Sequence, residues 1–352
     1  MQKSRIHWID VTKGVLILLM VFGHVANIAG RQGIDDSFLI KCMFFTSLYT
    51  CFFMQAFIIL SGYTSNFEKP LKDFFISQVK TVFIPWMVFC TLCHLYRMLV
   101  YGSDIFYVIN GQKYFFLIED FWFLQVLFFG KIIYWFLHKY INSDIIRAGV
   151  LLCMMFVGFS IFAMHDNVEE TYHYSNYLHY KDLLCMVFFL WFGNYCRRKD
   201  VFKYLEGKYL LVLLTLYLFG HILRFIFRMK GLNELLIAPV VLSHGGNAIN
   251  PLQIPAYLYY VILGSFSCFG IMKFINSNRF LEYFGKNSLV VYCVHFIFLD
   301  ISIRLMYMLL PPNSVLSALA FIICTISLTL LGSTVFIYLT KFKPFNYLIG
   351  KF

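Results

Sequence analysis

Residues 9–25 read IDVTKGVLILLMVFGHV. The run is apolar enough for a helix that crosses a membrane, yet it carries an Asp, a Lys and a His that lipid penalises. Lys13 and His24 are eleven residues apart. At about 100° per residue that is three turns plus about 20°, so the two side chains share one stripe, about 16 Å apart along the axis. Asp10 lies one turn before Lys13, and Asn27 one turn after His24, close to the same stripe. That stripe is expected to face protein or water, because lipid would cost several kcal/mol per ionisable group. The separation excludes direct contact between Lys13 and His24. A neutral imidazole at that depth can take a proton from a hydroxyl, and an ammonium near the helix start can bind phosphate or pair with Asp10. A plain interhelical hydrogen bond for His24 and a snorkelling cation for Lys13 explain the same residues without chemistry, and spacing alone leaves both readings standing.

The rest of the chain shares the apolar character. Its 352 residues are 60% hydrophobic, 20% aromatic and 13% charged, with mean hydropathy +0.73. Soluble domains carry about 25% charged residues, so the composition excludes an ordinary soluble enzyme. The net charge of +11 does not signal nucleic acid, because the cations sit between apolar stretches rather than on one face. The ten cysteines fall mostly inside apolar runs without zinc-site spacing. They read as small core residues, and no metal is expected. The basic start and apolar run at the N-terminus resemble a signal peptide, but Asp10, Lys13 and His24 would interrupt its apolar core. The segment reads as a retained first helix.

The pattern predicts an all-α fold, a polytopic transmembrane helix bundle of about ten spans. They fall near 8–29, 42–62, 74–100, 114–137, 145–164, 180–196, 208–228, 254–275, 287–309 and 315–340. Residues 231–253 are apolar but broken by Gly and Pro, and read as a re-entrant or interfacial piece. Lys and Arg collect in alternate loops, which puts both termini in the cytoplasm, and residues 165–180 form an acidic, aromatic outer loop. With no soluble segment, linker or internal repeat, residues 1–352 read as a single transmembrane domain.

Several shorter stretches carry polar groups. FFMQAFIILSGY (52–63) ends in Ser61, Gly62 and Tyr63, two hydroxyls around a glycine that permits close backbone approach, or simply a helix end. EDFWFLQVL (119–127) places Glu119 and Asp120 beside Trp122 near the outer interface, where two acids and a ring suit a polyol and an aromatic belt suits the Trp alone. FGKNSLVVYCVH (284–295) puts His295 two turns inside a helix that starts at Asn287 and Ser288, residues typical of a helix cap. Arg97, His221 and Arg224 lie towards outer helix ends.

Taken in order, these stretches resemble the bacterial acyltransferase-3 family of integral membrane O-acyltransferases. The resemblance rests on RIHWIDVTKG…GHV with its Lys-x10-His spacing, FFMQAFIILSGY, the WFL at 122–124, FGNYCRRK at 192–199 and FGKNSLVVYCVH. The first helix looks closest to the branch of fucose and exopolysaccharide O-acetylases. Two positions depart from the family pattern: Lys13 stands where Arg is common and loses its bidentate fork, and Gln55 stands where an apolar residue is commoner.

The resemblance implies a protein of the bacterial cytoplasmic membrane, in contact with membrane lipids. It would move acetyl from cytoplasmic acetyl-CoA, the donor substrate, to a hydroxyl of a cell-surface glycan or lipid-linked sugar acceptor. His24 would act as general base, with Lys13 and Asp10 at the donor end of the same helix. Lys13, Ser61, Tyr63, Lys69, Lys72, Arg197 and Arg198 would hold CoA, while Arg97, Glu119, Asp120, Trp122 and His295 would face the sugar. Rival readings are a transporter or flippase of glycans or other anions, a non-catalytic binding module, and an acyltransferase with a different acyl donor.

Overall fold

The structure, a computed structural model, describes residues 6–31, 46, 48–102, 107–109, 112–114, 121–165, 179–232, 251–312 and 314–350. Its helices are α1 (His7–Arg31), α2 (Phe53–Thr64), α3 (Leu71–Gln78), α4 (Ile84–Tyr101), α5 (Trp122–Tyr140), α6 (Asp144–His165), α7 (Tyr180–Arg198), α8 (Gly207–Met229), α9 (Ile254–Ile275), α10 (Arg279–Lys286), α11 (Ser288–Leu309), α12 (Val315–Leu339) and α13 (Phe345–Leu348). A π turn, Val79–Phe83, joins α3 to α4. A small antiparallel hairpin pairs β1 (Tyr107–Ile109) with β2 (Gln112–Tyr114).

The protein is thus a bundle of membrane helices. Among the described residues, seven stretches are long and apolar enough to cross a bilayer: His7–Val25, Leu71–Tyr101, Asp144–Ala163, Gly207–Met229, Pro251–Ile275, Ser288–Leu309 and Val315–Leu339. The apolar helix Leu48–Thr64 is shorter, and α5 and α7 have 19 residues each. A helix lies in every one of the ten stretches that the hydropathy pattern marks. Residues 233–250, the broken apolar segment, and 166–178, the acidic loop, lie outside the described residues.

The helices group into two compact units, each assembled from separated segments of chain. Unit 1 comprises Met1–Thr12, Tyr49–Ile76 and Trp122–Asn278, and unit 2 comprises Lys13–Leu48, Ser77–Phe121 and Arg279–Phe352. The division falls inside α1, after Thr12.

In unit 1, α2 and α7 touch backbone to backbone. A Cβ at Gly62 would lie 2.1 Å from the Leu190 carbonyl oxygen, and one at Gly193 2.0 Å from that of Ile59. Without a hydrophobic driving force between helices in lipid, such close approach supplies the packing energy. The glycine flagged beside Ser61 and Tyr63 is therefore used for helix packing.

One end of unit 1 is tied by a polar network. Arg147, only 4% exposed, donates to the carbonyls of Ile141 (2.6 Å) and Asn142 (3.1 Å) and pairs with Asp144 at 3.0 Å. Arg198 closes a two-pronged bond on the same Asp144, at 2.6 and 3.1 Å, and reaches Asn194 at 3.1 Å. Removing the buried cation strands two carbonyls, while Asp144 keeps its two-pronged bond to Arg198. Arg147→Met is expected to cost about 2–3 kcal/mol, measured as a lower Tm of the protein in nanodiscs.

Unit 2 has its own core, where Val25 of α1 and Leu299, Ile303 and Met306 of α11 meet Ala318, Phe321 and Ile322 of α12. A Cβ at Gly332 would lie 2.4 Å from the Phe298 ring, so α12 lies close against α11. The capping box at Ser314, with its side chain accepting from the Ser317 amide at 3.2 Å, starts α12.

Candidate functional site

Within unit 2, α1 is seated on α10. A Cβ at Gly14 would lie 2.0 Å from the Leu281 carbonyl oxygen, so α1 lies flush against the α10 backbone just beside Lys13. Lys13 is half-buried. Two turns of α10 carry Glu282 and Lys286, joined at 2.7 Å, so the Lys286 ammonium is neutralised within its own helix.

Three turns further along α1 lies His24, half-buried. Its ring centre is 5.3 Å from that of His295, with the planes 31° apart. Phe296 packs on both rings, at 5.0 Å from His24 and 4.0 Å from His295. Phe121 stands edge-on to Phe296 and to Tyr292, at 6.0 Å in each case. His295 is fully buried. Its Nδ1–H donates to the Tyr292 carbonyl at 2.7 Å, because a carbonyl can only accept. Nε2 must then carry the lone pair, and this buried atom has no hydrogen-bond partner among the described residues. The arrangement offers a half-exposed imidazole that can exchange protons and a buried one whose tautomer is set.

A second cluster in unit 2 surrounds Asp300 on α11. Tyr96 and Tyr101 of α4 donate to its two oxygens at 2.6 and 2.5 Å. Arg304, one turn on, pairs with it at 3.2 Å and lies 4.3 Å over the Tyr101 ring. Arg97, next to Tyr96, is half-buried. The sequence reading took Arg97 from this region and passed over the other four. Their signal was an Asp and an Arg at i, i+4 in an otherwise apolar helix.

The remaining expected residues lie in unit 1. Tyr63 is stacked on Phe202, with ring centres 4.7 Å apart and planes at 21°, and Trp8 packs edge-on to the same Phe202. Ser61 is half-buried, while Lys69 and Lys72 are exposed. Arg197 donates to the Ser65 carbonyl at 2.7 Å. Arg198 is engaged by Asp144, which fills the fork that a phosphate would need, so it organises the protein surface rather than awaiting a ligand. Nearby, His138 sits 2.7 Å from Glu68 and holds its carboxyl below the usual carboxylate range. Asp10 is buried.

Trp122 is also buried, its ring 6.1 Å from that of His179, which lies 3.2 Å from Asp182. His179 and Asp182 went unread in the sequence, where HYKD gave no spacing to act on. Glu119 and Asp120 lie outside the described residues.

Residues 6–338 match a family model described as an acyltransferase domain. Neither a curated protein nor a solved structure gave a match.

Proposed function

Because the chain belongs to the acyltransferase-3 family of membrane acyltransferases, which its residues 6–338 match, we propose that it transfers acetyl from cytoplasmic acetyl-CoA to a hydroxyl of a cell-surface polysaccharide or its lipid-linked precursor. One observation carries the reading: Lys13 and His24 stand on one unbroken helix, His7–Arg31, three turns apart, with His24 half-exposed beside a second imidazole. A sugar hydroxyl is a weak nucleophile, and attack on a thioester needs its proton removed as the new C–O bond forms. His24 takes that proton. The thioester C–S bond breaks, and the CoA sulfur leaves with the proton that His24 returns. Lys13, nearly two turns from the start of the helix, attracts the phosphates of the donor. Direct transfer needs one step and no acetyl-enzyme, so it is the simpler course.

The protein lies in the bacterial cytoplasmic membrane with both termini on the cytoplasmic side, as the distribution of Lys and Arg supports. The acceptor-facing residues would include Arg97, which lies in the same unit as His24.

The test uses purified protein in nanodiscs with radiolabelled acetyl-CoA. Wild-type protein should release CoA slowly without acceptor, and should pass label to a glycan fraction when cell-envelope extract is added. Absence of both CoA release and saturable CoA binding, in protein shown to be monodisperse, would overturn the reading.

A further inference from the structure

His295 is buried more deeply than a residue that greets a sugar should be. It is fully buried, whereas its neighbour His24 is half-exposed. One of its two nitrogens is spent on the Tyr292 carbonyl at 2.7 Å. The other, Nε2, has no hydrogen-bond partner among the described residues. An unpaired buried acceptor destabilises a fold, so its retention needs a reason. His221 in unit 1 also has a bare Nε2, and there the neighbours are the rings of Tyr217 and Tyr260. What distinguishes His295 is a second imidazole at 5.3 Å between ring centres. At that separation, ring nitrogens that face each other come within hydrogen-bond reach.

We propose that His295 is a positioning residue for His24: its bare Nε2 accepts the N–H of His24, fixing which nitrogen of His24 is left to act as base. This inference rests on His24 being the base of the transfer. The Tyr292 carbonyl sets the tautomer, since an Nδ1–H donor leaves Nε2 able only to accept. His24 then has one nitrogen turned to His295 as a donor and uses the other as the base for the hydroxyl. When the hydroxyl proton moves to His24, the imidazolium keeps its N–H on Nε2 of His295, which spreads the new charge without taking the proton. His295 retains its own proton on Nδ1 throughout and forms no covalent bond. The thioester C–S bond breaks, the ester C–O bond forms, and the proton on His24 leaves with the CoA sulfur. In the structure Nε2 is unpaired, and the contact tightens when substrate seats His24, as catalytic hydrogen bonds commonly do. Among the described residues, Phe296 packs against both rings and Tyr292 lies beside His295.

The role predicts a pattern that simple packing does not. His295→Phe keeps a ring and removes the acceptor. It should lower kcat for CoA release about a hundredfold with KM for acetyl-CoA unchanged. It should also move the rising limb of the kcat–pH profile towards acid, because an imidazolium that loses its acceptor gives up its proton more readily. His295→Gln, whose side-chain oxygen can accept, should recover part of the rate and bring the limb back. A raised KM with unaltered kcat would return His295 to the sugar pocket and overturn the proposal, as would wild-type kcat and an unmoved limb in His295→Phe.

Should either variant fail to accumulate, nitrogen NMR of histidine-labelled wild-type protein decides. Nε2 of His295 must be unprotonated and must shift as His24 titrates, and a protonated Nε2 sinks the idea. Failure of wild-type protein to release CoA would count against the proposed activity instead, and would leave the NMR result to speak for the pair alone.

Discussion

His24→Ala is expected to lower acetyl-CoA-dependent CoA release by about three orders of magnitude while the protein inserts and accumulates as wild type does. General base assistance contributes about 10²–10⁴ in rate, and a sugar hydroxyl or water without it must attack as the neutral species. The side chain is half-buried, so truncation leaves a shallow gap rather than a sealed cavity, and the fold should lose little. Equilibrium binding of acetyl-CoA should be unchanged, because Lys13 lies three turns away on the same helix. The measurement is release of CoA in nanodiscs, with size-exclusion profile and Tm recorded on the same preparation. Undiminished release by a well-folded His24→Ala protein would remove His24 from the chemistry.

The largest effect on stability is expected from Gly193→Leu. The Cβ alone would lie 2.0 Å from the Ile59 carbonyl oxygen and 2.9 Å from the Tyr63 amide nitrogen. Both are backbone atoms of α2, which cannot swing aside as a side-chain tip could. The two helices must separate along their whole contact, which Gly62 also depends on through its 2.1 Å approach to Leu190. We expect a loss above about 3 kcal/mol and little or no monodisperse protein. Gly149→Ala is the matched control: nothing lies within 4 Å of a Cβ there. In the interior of α6 that change should stabilise by up to about 1 kcal/mol. Equal behaviour of the two variants on a thermal ramp would show that close helix approach is not what holds unit 1 together.

Hydropathy located the helices well because lipid allows few alternatives for a long apolar run. The stretch read as 254–275 is helix α9 at those bounds, and the one read as 287–309 is α11 from Ser288 to Leu309. Two features escaped for reasons of scale. Helix α10, RFLEYFGK, has eight residues and alternates apolar with charged side chains, so nothing about it resembles a span. The π turn at Val79–Phe83 shifts the hydrogen-bond ladder by one residue, which periodicity over eleven residues or more averages away.

The stripe on α1 was legible because Lys13 and His24 share one helix. Pairs between helices were not. His24 and His295 are separated by most of the chain, and no spacing rule connects them. Asp144 and Arg198 lie 54 residues apart in the sequence, and only the fold joins them at 2.6 Å. Gln55 stood out as an oddity, and the fold answers it in part: its amide donates to the buried Tyr257 hydroxyl at 3.1 Å.

Helix α1 runs without a break from His7 to Arg31, and its Gly14 lies flush against the α10 backbone at Leu281. The distance from Lys13 to His24 is therefore a fixed gauge of about 16 Å. In the proposed reaction a donor that anchors a phosphate at Lys13 must deliver its carbonyl at His24, so the helix would select donors by reach. Acetyl phosphate carries the same acetyl group and a phosphate, but its two ends sit side by side. It would be measured and found too short.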